Sequence, residues 1–250
     1  MNNGRYNILL RFELKRRGTT DTEVSFATLE PKAYEEEIDF ILKHARRYLH
    51  KSPTRKDVKS VFAGLRPLVR LGNNRKTSSI SHSHYLVVSN SGLVTITGGK
   101  WTTYRKMGEY AVDEAVKVAH LETRKSCGSS LRVHGYFNNP DKADPLYFYG
   151  SDAFEIKRLS EEDPELKEKL CNALPITKAE VIWHARNEMA RTVEDVLSRR
   201  TRSLLLDAKA SIKLAPIVAQ ILAKELGRDS EWESEQIKDY RRLAEEYFIK

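Results

Sequence analysis

The spacing of apolar positions changes character near residue 120. Before it, short apolar runs alternate with polar residues or stand as brief blocks between glycine, proline and asparagine, as strands do. After it, apolar residues recur every three or four positions, as on helices. Residues 6–14 predict a strand, and Gly18–Thr22 a turn. Pro31 opens a predicted helix reaching Leu49, with Ile38, Ile41, Leu42, Ala45 and Leu49 on one face. Pro53 marks its exit, with Thr54 or Asp57 as turn formers. Val58–Ala63 reads as a strand running into Gly64–Leu68, and 72–79 as a polar loop. Tyr85–Val88 and Leu93–Thr97 predict two strands joined through Asn90, Ser91 and Gly92, where glycine can supply positive φ. The second strand enters Gly98-Gly99-Lys100, and a helix follows. Thr102 or Thr103 is its expected N-cap, and Tyr104, Met107, Ala111, Ala115 and Val118 are its apolar face.

Residues 126–145 read as a loop. Helices are then expected over 152–171, 177–200, 207–226 and 231–248. Val181, Ala185, Val193 and Leu197 form the buried side of the second. Gly227 stops the third, and Pro216 should kink it or lie near its first turns. The expected class is α+β: a mixed α/β domain over 1–120 and an all-helical domain over 121–250.

Composition narrows the function classes. Charged residues make up 31% and apolar residues 40%, which describes a globular chain with a core. The formal charge of +8 could suit a phosphorylated ligand, nucleic acid or anionic lipid. Lys and Arg are mixed with Asp and Glu, however, and no basic block is interleaved with aromatics, which argues against nucleic acid. Cys127 and Cys171 form no C-x-x-C pair, and reduced thiols are expected. Residues 77–99 carry no formal charge but are rich in Ser, Thr and Asn, so they do not form a membrane span. Arg11, Glu13 and Lys15 break the only early apolar run, so no signal peptide is expected.

Four constellations could carry chemistry. At 94–105 a strand passes through Gly98-Gly99-Lys100 into a helix. Two glycines admit a ligand close to the backbone, and the first helical amides and Lys100 favour an anion; a tight turn with a solvent-facing lysine explains the pattern equally well. Neither a P-loop nor a G-x-G-x-x-G fingerprint is present among the twelve glycines. Arg66 precedes Pro67 at a strand end, which holds its backbone extended. Its guanidinium could bind carboxylate or phosphate at two points, or be structural. His82 and His84 would share one strand face, but no third metal ligand is apparent. Glu180 with His184 and Glu188 with Arg191 read as stabilising pairs on a charged helix.

Several stretches occur together in one order: G-T-T-D-T at 18–22, V-F-A-G-L-R-P-L at 61–68, S-H-Y-L-V-V at 83–88 and G-L-V-T-I-T-G-G-K-W-T-T-Y-R-K-M at 92–107. A-E-V-I-W at 179–183, E-M-A-R-T-V-E-D-V-L-S-R-R-T-R at 188–202 and L-D-A-K-A at 206–210 follow. Together they closely resemble the FAD-dependent, quinone-linked glycerol-3-phosphate dehydrogenases over about residues 18–245. The resemblance implies oxidation of sn-glycerol 3-phosphate to dihydroxyacetone phosphate, with hydride passing to FAD and electrons to membrane quinone. It implies that Arg66, Lys100 and His82 face the substrate. It implies that Gly98, Gly99, Lys100, Trp101, Thr102 and Thr103 approach the flavin, and that residues 121–250 are the family's helical C-terminal domain. Cytoplasmic placement, or peripheral attachment to the inner face of the cytoplasmic membrane, goes with it. Membrane contact and homo-oligomerisation are left open.

Three departures qualify that reading. The βαβ unit with G-x-G-x-x-G that holds the FAD pyrophosphate in the family is not in these 250 residues, so the chain by itself is expected to be incompetent. Lys15-Arg16-Arg17 stands where the family has an apolar strand before G-T-T-D-T, which predicts a truncated or frame-disrupted start. His82 stands where the family carries arginine, which removes one anion-binding guanidinium. The competing readings are the oxidase branch, with oxygen as acceptor, and a non-enzymatic helical interaction module.

Overall fold

The structure, a computed structural model, describes residues 4–12, 15–17, 20, 22–24, 26, 28–66 and 84–249; of these, the side chains of 4–12, 15–17, 23 and 66 are outside the description. The expected turn at 18–22 lies largely outside the described residues, and the polar loop at 72–79 and His82 lie wholly outside them. The chain forms two compact units drawn from interleaved stretches. One takes Met1–Tyr6, Thr22–Leu29 and Leu65–His134; the other takes Asn7–Asp21, Glu30–Gly64 and Gly135–Lys250. This grouping differs from the expected division at 120/121, because 30–64 gathers with the C-terminal helices.

Strand β1 spans Gly4–Phe12, β2 Lys15–Arg17 and β3 Thr22–Val24. β1 pairs antiparallel with β2 through Leu10↔Arg17, and with β3 through Gly4↔Val24. Strand β4, Ser60–Arg66, also pairs with β1.

In the first unit, β5 (His84–Val88) and β6 (Val94–Gly98) make the expected hairpin. The pairing runs from His84↔Gly98 to Val88↔Val94. Gly92 closes the turn at φ 82°, donating its N–H to the Ser89 carbonyl at 2.9 Å. A 3-10 turn, Trp101–Thr103, leads into the helix at Tyr104–Val118. Thr103, one of the two candidates the sequence offers, is its N-cap residue. None of this helix's residues is fully buried.

The second unit holds the cores. Helix α1 spans Glu35–Arg46, shorter at both ends than its periodicity suggests. It starts where Glu37 accepts the Tyr34 N–H at 3.1 Å, and three glutamates in its first turn complement the helix dipole. Ile38, Ile41, Leu42 and Ala45 pack on Val58 and Val61, with Ile249 against them. The helix at 104–118 is α2. Then come α3 (Ala153–Glu162), α4 (Lys178–Asn187), α5 (Ser203–Leu206), α6 (Ala208–Leu226) and α7 (Ser230–Ala244). Their shared core includes Val181, Val193, Leu197, Leu214, Val218 and Leu222.

Two expected helices are broken. The first stops at Glu162 because Asp163, which precedes Pro164, is held extended (φ −135°, ψ 102°). The second ends at Asn187, and Met189 takes φ 55°. A turn of π-helix, Asp195–Arg200, resumes after the break. Gly227 ends α6 in the left-handed conformation, as expected, while Pro216 sits inside that helix.

Candidate functional site

In the first unit the candidate site is the backbone between β6 and α2. Gly98 and Gly99 both take left-handed conformations, at φ 77° and 80°. Two such residues in succession are open to glycine and costly for other types. They turn the chain so that Lys100 caps the 3-10 turn, extended at φ −130°, ψ 153°. The Thr103 hydroxyl donates to the Lys100 carbonyl at 2.8 Å and accepts its N–H at 3.2 Å, closing the turn on itself. The amides of Trp101 and Thr102 lie too early in the run for intrahelical acceptors. Lys100 is exposed, and Trp101, 85% exposed, stacks on Tyr104 at 5.3 Å. A charged head, early amides and two glycines are therefore gathered within six residues. That combination suits an anionic or electron-rich ring edge.

Of the other predicted site residues, Arg66 is the last of β4 and falls in the same compact unit as Lys100. Its side chain and all of His82 are outside the described residues. His84 begins β5 opposite Gly98. Its ring lies 5.2 Å from that of Tyr110 on α2, centroid to centroid, a contact the sequence does not announce. The contact crosses from strand to helix, and only the register of the hairpin reveals it.

The second unit carries a buried polar cluster. Tyr149 donates its hydroxyl to Glu180 at 3.0 Å and lies 2.8 Å from His184 Nε2. Glu180 caps its own helix, accepting the Thr177 N–H at 2.8 Å. Burial raises the Glu180 carboxyl above its usual range, and burial followed by the Glu180 charge raises the Tyr149 hydroxyl. Burial, reinforced by the charge of Arg200, pushes His184 down to about 3. Its ring is therefore neutral, and the 3.8 Å approach to Glu188 is not an ion pair. With Tyr149 donating to Glu180, Nε2–H of His184 donates to Tyr149. The pair expected on a charged helix thus lies inside the fold, where it ties 147–152 to α4.

The chain is similar to known proteins. Residues 128–233 match the C-terminal domain of alpha-glycerophosphate oxidase. The chain is 37% identical over 247 residues to a Caenorhabditis elegans protein named "Probable glycerol-3-phosphate dehydrogenase, mitochondrial", covering 90% of this chain and 34% of that one. It is 33% identical to the mitochondrial glycerol-3-phosphate dehydrogenase of Arabidopsis thaliana, over 92% of this chain and 40% of that one. It is 34% identical to the human mitochondrial enzyme, over 90% and 34% respectively. In fold it resembles the crystal structure of Bacillus halodurans glycerol-3-phosphate dehydrogenase complexed with FAD. The TM-score is 0.71 at 21% identity, covering 98% of this chain and 57% of that one. The chain spans between a third and two-fifths of the length of these curated relatives. Over nine-tenths of its length it is a homologue of the glycerol-3-phosphate dehydrogenases, and the part it represents includes the family's helical C-terminal domain.

Proposed function

We propose that this chain supplies the substrate-side part of an FAD-dependent dehydrogenase that oxidises sn-glycerol 3-phosphate to dihydroxyacetone phosphate and passes electrons to quinone. The observation that carries the reading is the Gly98-Gly99-Lys100 turn. Its paired left-handed glycines and early helical amides fit the edge of an isoalloxazine ring. The flavin, when bound, accepts the hydride from the substrate's secondary carbon. Gly98–Thr103 would hold its edge, and the Lys100 ammonium would face the substrate. Arg66, aimed by the extended backbone before Pro67, would grip the phosphate dianion or the oxygen at which negative charge grows. His82 would occupy a third position around that anion. The pyrophosphate of FAD would be held by residues other than these 250, so the chain alone is proposed to be inactive.

Among the described residues, no helix is long and apolar enough to cross a membrane. The oxidase alternative differs only in the acceptor, and the same turn would serve it.

The test joins this chain to the FAD-binding part of a relative and measures kcat/KM and the melting temperature on the same sample. Arg66→Lys keeps the charge but loses the planar two-point grip. The expected loss in kcat/KM is about tenfold to a thousandfold, roughly 1.4–4 kcal/mol of transition-state stabilisation. Unchanged kcat/KM in a folded Arg66→Lys protein would remove Arg66 from the site.

A further inference from the structure

From the N-cap of α2 onward, Thr103, Met107 and Tyr110 follow one another at four and three residues, so they lie on one side. Each meets one residue of the turn or the residue beside it. Thr103 closes on Lys100 through both backbone groups. Met107 fills the space beside Gly99: a Cβ built there would lie 2.5 Å from its Sδ and 3.0 Å from its Cε. The same Cβ would lie 3.4 Å from Cβ of His84, the strand partner of Gly98. Tyr110 backs His84, with ring centroids 5.2 Å apart, and Lys106 sits 4.7 Å from the Tyr110 ring centroid. The thioether of Met107 also lies 3.6 Å from the Thr103 hydroxyl, so the three contacts are continuous.

We infer that Met107 is a positioning residue for the Gly98-Gly99-Lys100 turn, acting with His84 and Tyr110. Two adjacent glycines give a backbone with wide conformational freedom, which is of little use to a site that must present amides in one direction. α2 buries no residue completely, so its apolar face is not committed to a core. The Met107 end of that face rests on the turn. A thioether suits the task because it adapts to an irregular gap while still excluding water. With Met107 seated, Gly99 cannot move toward α2. With His84 across the ladder, Gly98 cannot move away from β5. Gly99 is thus fixed as glycine for two independent reasons, its positive φ and the volume Met107 occupies. The link from turn to flavin rests on the functional reading above; the packing itself does not.

The test is hydrogen–deuterium exchange of the full chain, and of the same chain joined to the FAD-binding part of a relative with and without FAD, followed in peptides covering 98–103, the remainder of α2 and the helices of the second unit. Met107→Ala should speed exchange at 98–103 about tenfold while leaving 110–118 and the second unit unchanged. Met107→Leu, which nearly conserves volume, should restore the slow rate. A merely structural methionine would instead loosen α2 and the hairpin together. Unchanged exchange at 98–103 in Met107→Ala, or a uniform rise over the whole unit, would overturn the inference. FAD-dependent slowing at 98–103 that is lost in Met107→Ala and regained in Met107→Leu supports both the positioning and the flavin reading. If Met107→Ala loosens the turn while FAD slows exchange at 98–103 in none of the three joined proteins, the positioning stands and the flavin reading falls.

Discussion

His184 shows how far a residue's chemistry can depart from its place in a sequence. Four residues after Glu180 on a charged helix, it reads as half of a stabilising i,i+4 pair, yet both side chains are buried. The deciding partner, Tyr149, lies 31 and 35 residues upstream, and no local pattern announces it. The consequence is a pH dependence. The folded ring is pushed down to about 3 from an ordinary value of 6.5. Between those values the unfolded chain takes up a proton that the folded chain does not, so stability rises with pH across the window and falls away toward acid. Glu180 acts in the opposite sense. Its carboxyl is raised from 4.5, so its contribution weakens as pH rises through the interval above that value. Replacing His184→Gln keeps a donor near Tyr149 and removes the titration. The acid limb should flatten by up to about 1.4 kcal/mol per pH unit, measured by urea unfolding between about pH 5 and pH 6.5. An unaltered slope would mean that the ring is not held neutral. The Gly98-Gly99-Lys100 turn, by contrast, was legible as a passage from strand to helix, because a turn is a local object.

At the scale of elements, periodicity found the helices but ran across their breaks. Residues 177–200 keep one apolar rhythm because α4 and the following π-helical turn face the same core. The break itself is held by polar side chains. Asp195 accepts the N–H groups of Arg191 and Thr192 at 3.0 and 3.1 Å, and Thr192 Oγ1 accepts the Asp195 N–H at 3.0 Å. Arg200 donates to the Glu188 carbonyl at 2.6 Å and Arg191 to the Ala185 carbonyl at 2.8 Å, so carbonyls at the end of α4 are satisfied. Thr192 followed by Asp195 was a readable cap signal; the distant arginine contacts were not. Pro216 presents the converse case. It removes a backbone donor inside α6, yet the helix runs through it. The residue is exposed, so water can reach the freed Ile212 carbonyl. Alanine at this position should therefore recover much of the roughly 3 kcal/mol that an interior proline costs, less the up to 1 kcal/mol by which proline restricts the unfolded chain. Pro216→Ala is expected to gain about 1–3 kcal/mol in denaturant unfolding. A loss of stability instead would show that the ring makes packing contacts worth more than the missing hydrogen bond.

At the scale of the whole molecule, chain order and spatial order part company. The helix at 35–46 belongs by sequence position to the α/β stretch, but by contact it joins the C-terminal helices. Ser60 is the most buried link in that arrangement. It opens β4 with no exposed surface, and its hydroxyl reaches residues 144 and 148 positions away. Oγ donates to the Leu204 carbonyl at 2.8 Å and accepts the Ala208 N–H at 2.8 Å, at the junction where α5 ends and α6 begins. Lys59 reinforces the same junction, its carbonyl accepting the Ala208 N–H at 3.2 Å and its ammonium lying 3.5 Å from the Asp207 N-cap. Farther along, Tyr247 donates to Glu30 at 2.9 Å and Ile249 packs on the α1 core, so 30–64 is held at both ends of the helical array. If this stretch is part of one cooperative unit, Ser60→Ala should destabilise the helices themselves. The Leu204 carbonyl would lose its buried donor while Ala208 kept the Lys59 carbonyl, which sets the expected cost at about 1–3 kcal/mol. The midpoint of the helical circular-dichroism transition should fall, with a single transition preserved. A segment starting at residue 121 should melt lower still, because it lacks Ser60 and the whole α1 face. An unmoved helical transition in Ser60→Ala would instead show that 30–64 and the C-terminal helices unfold as separate units, and would restore a boundary near residue 121 as the thermodynamic one.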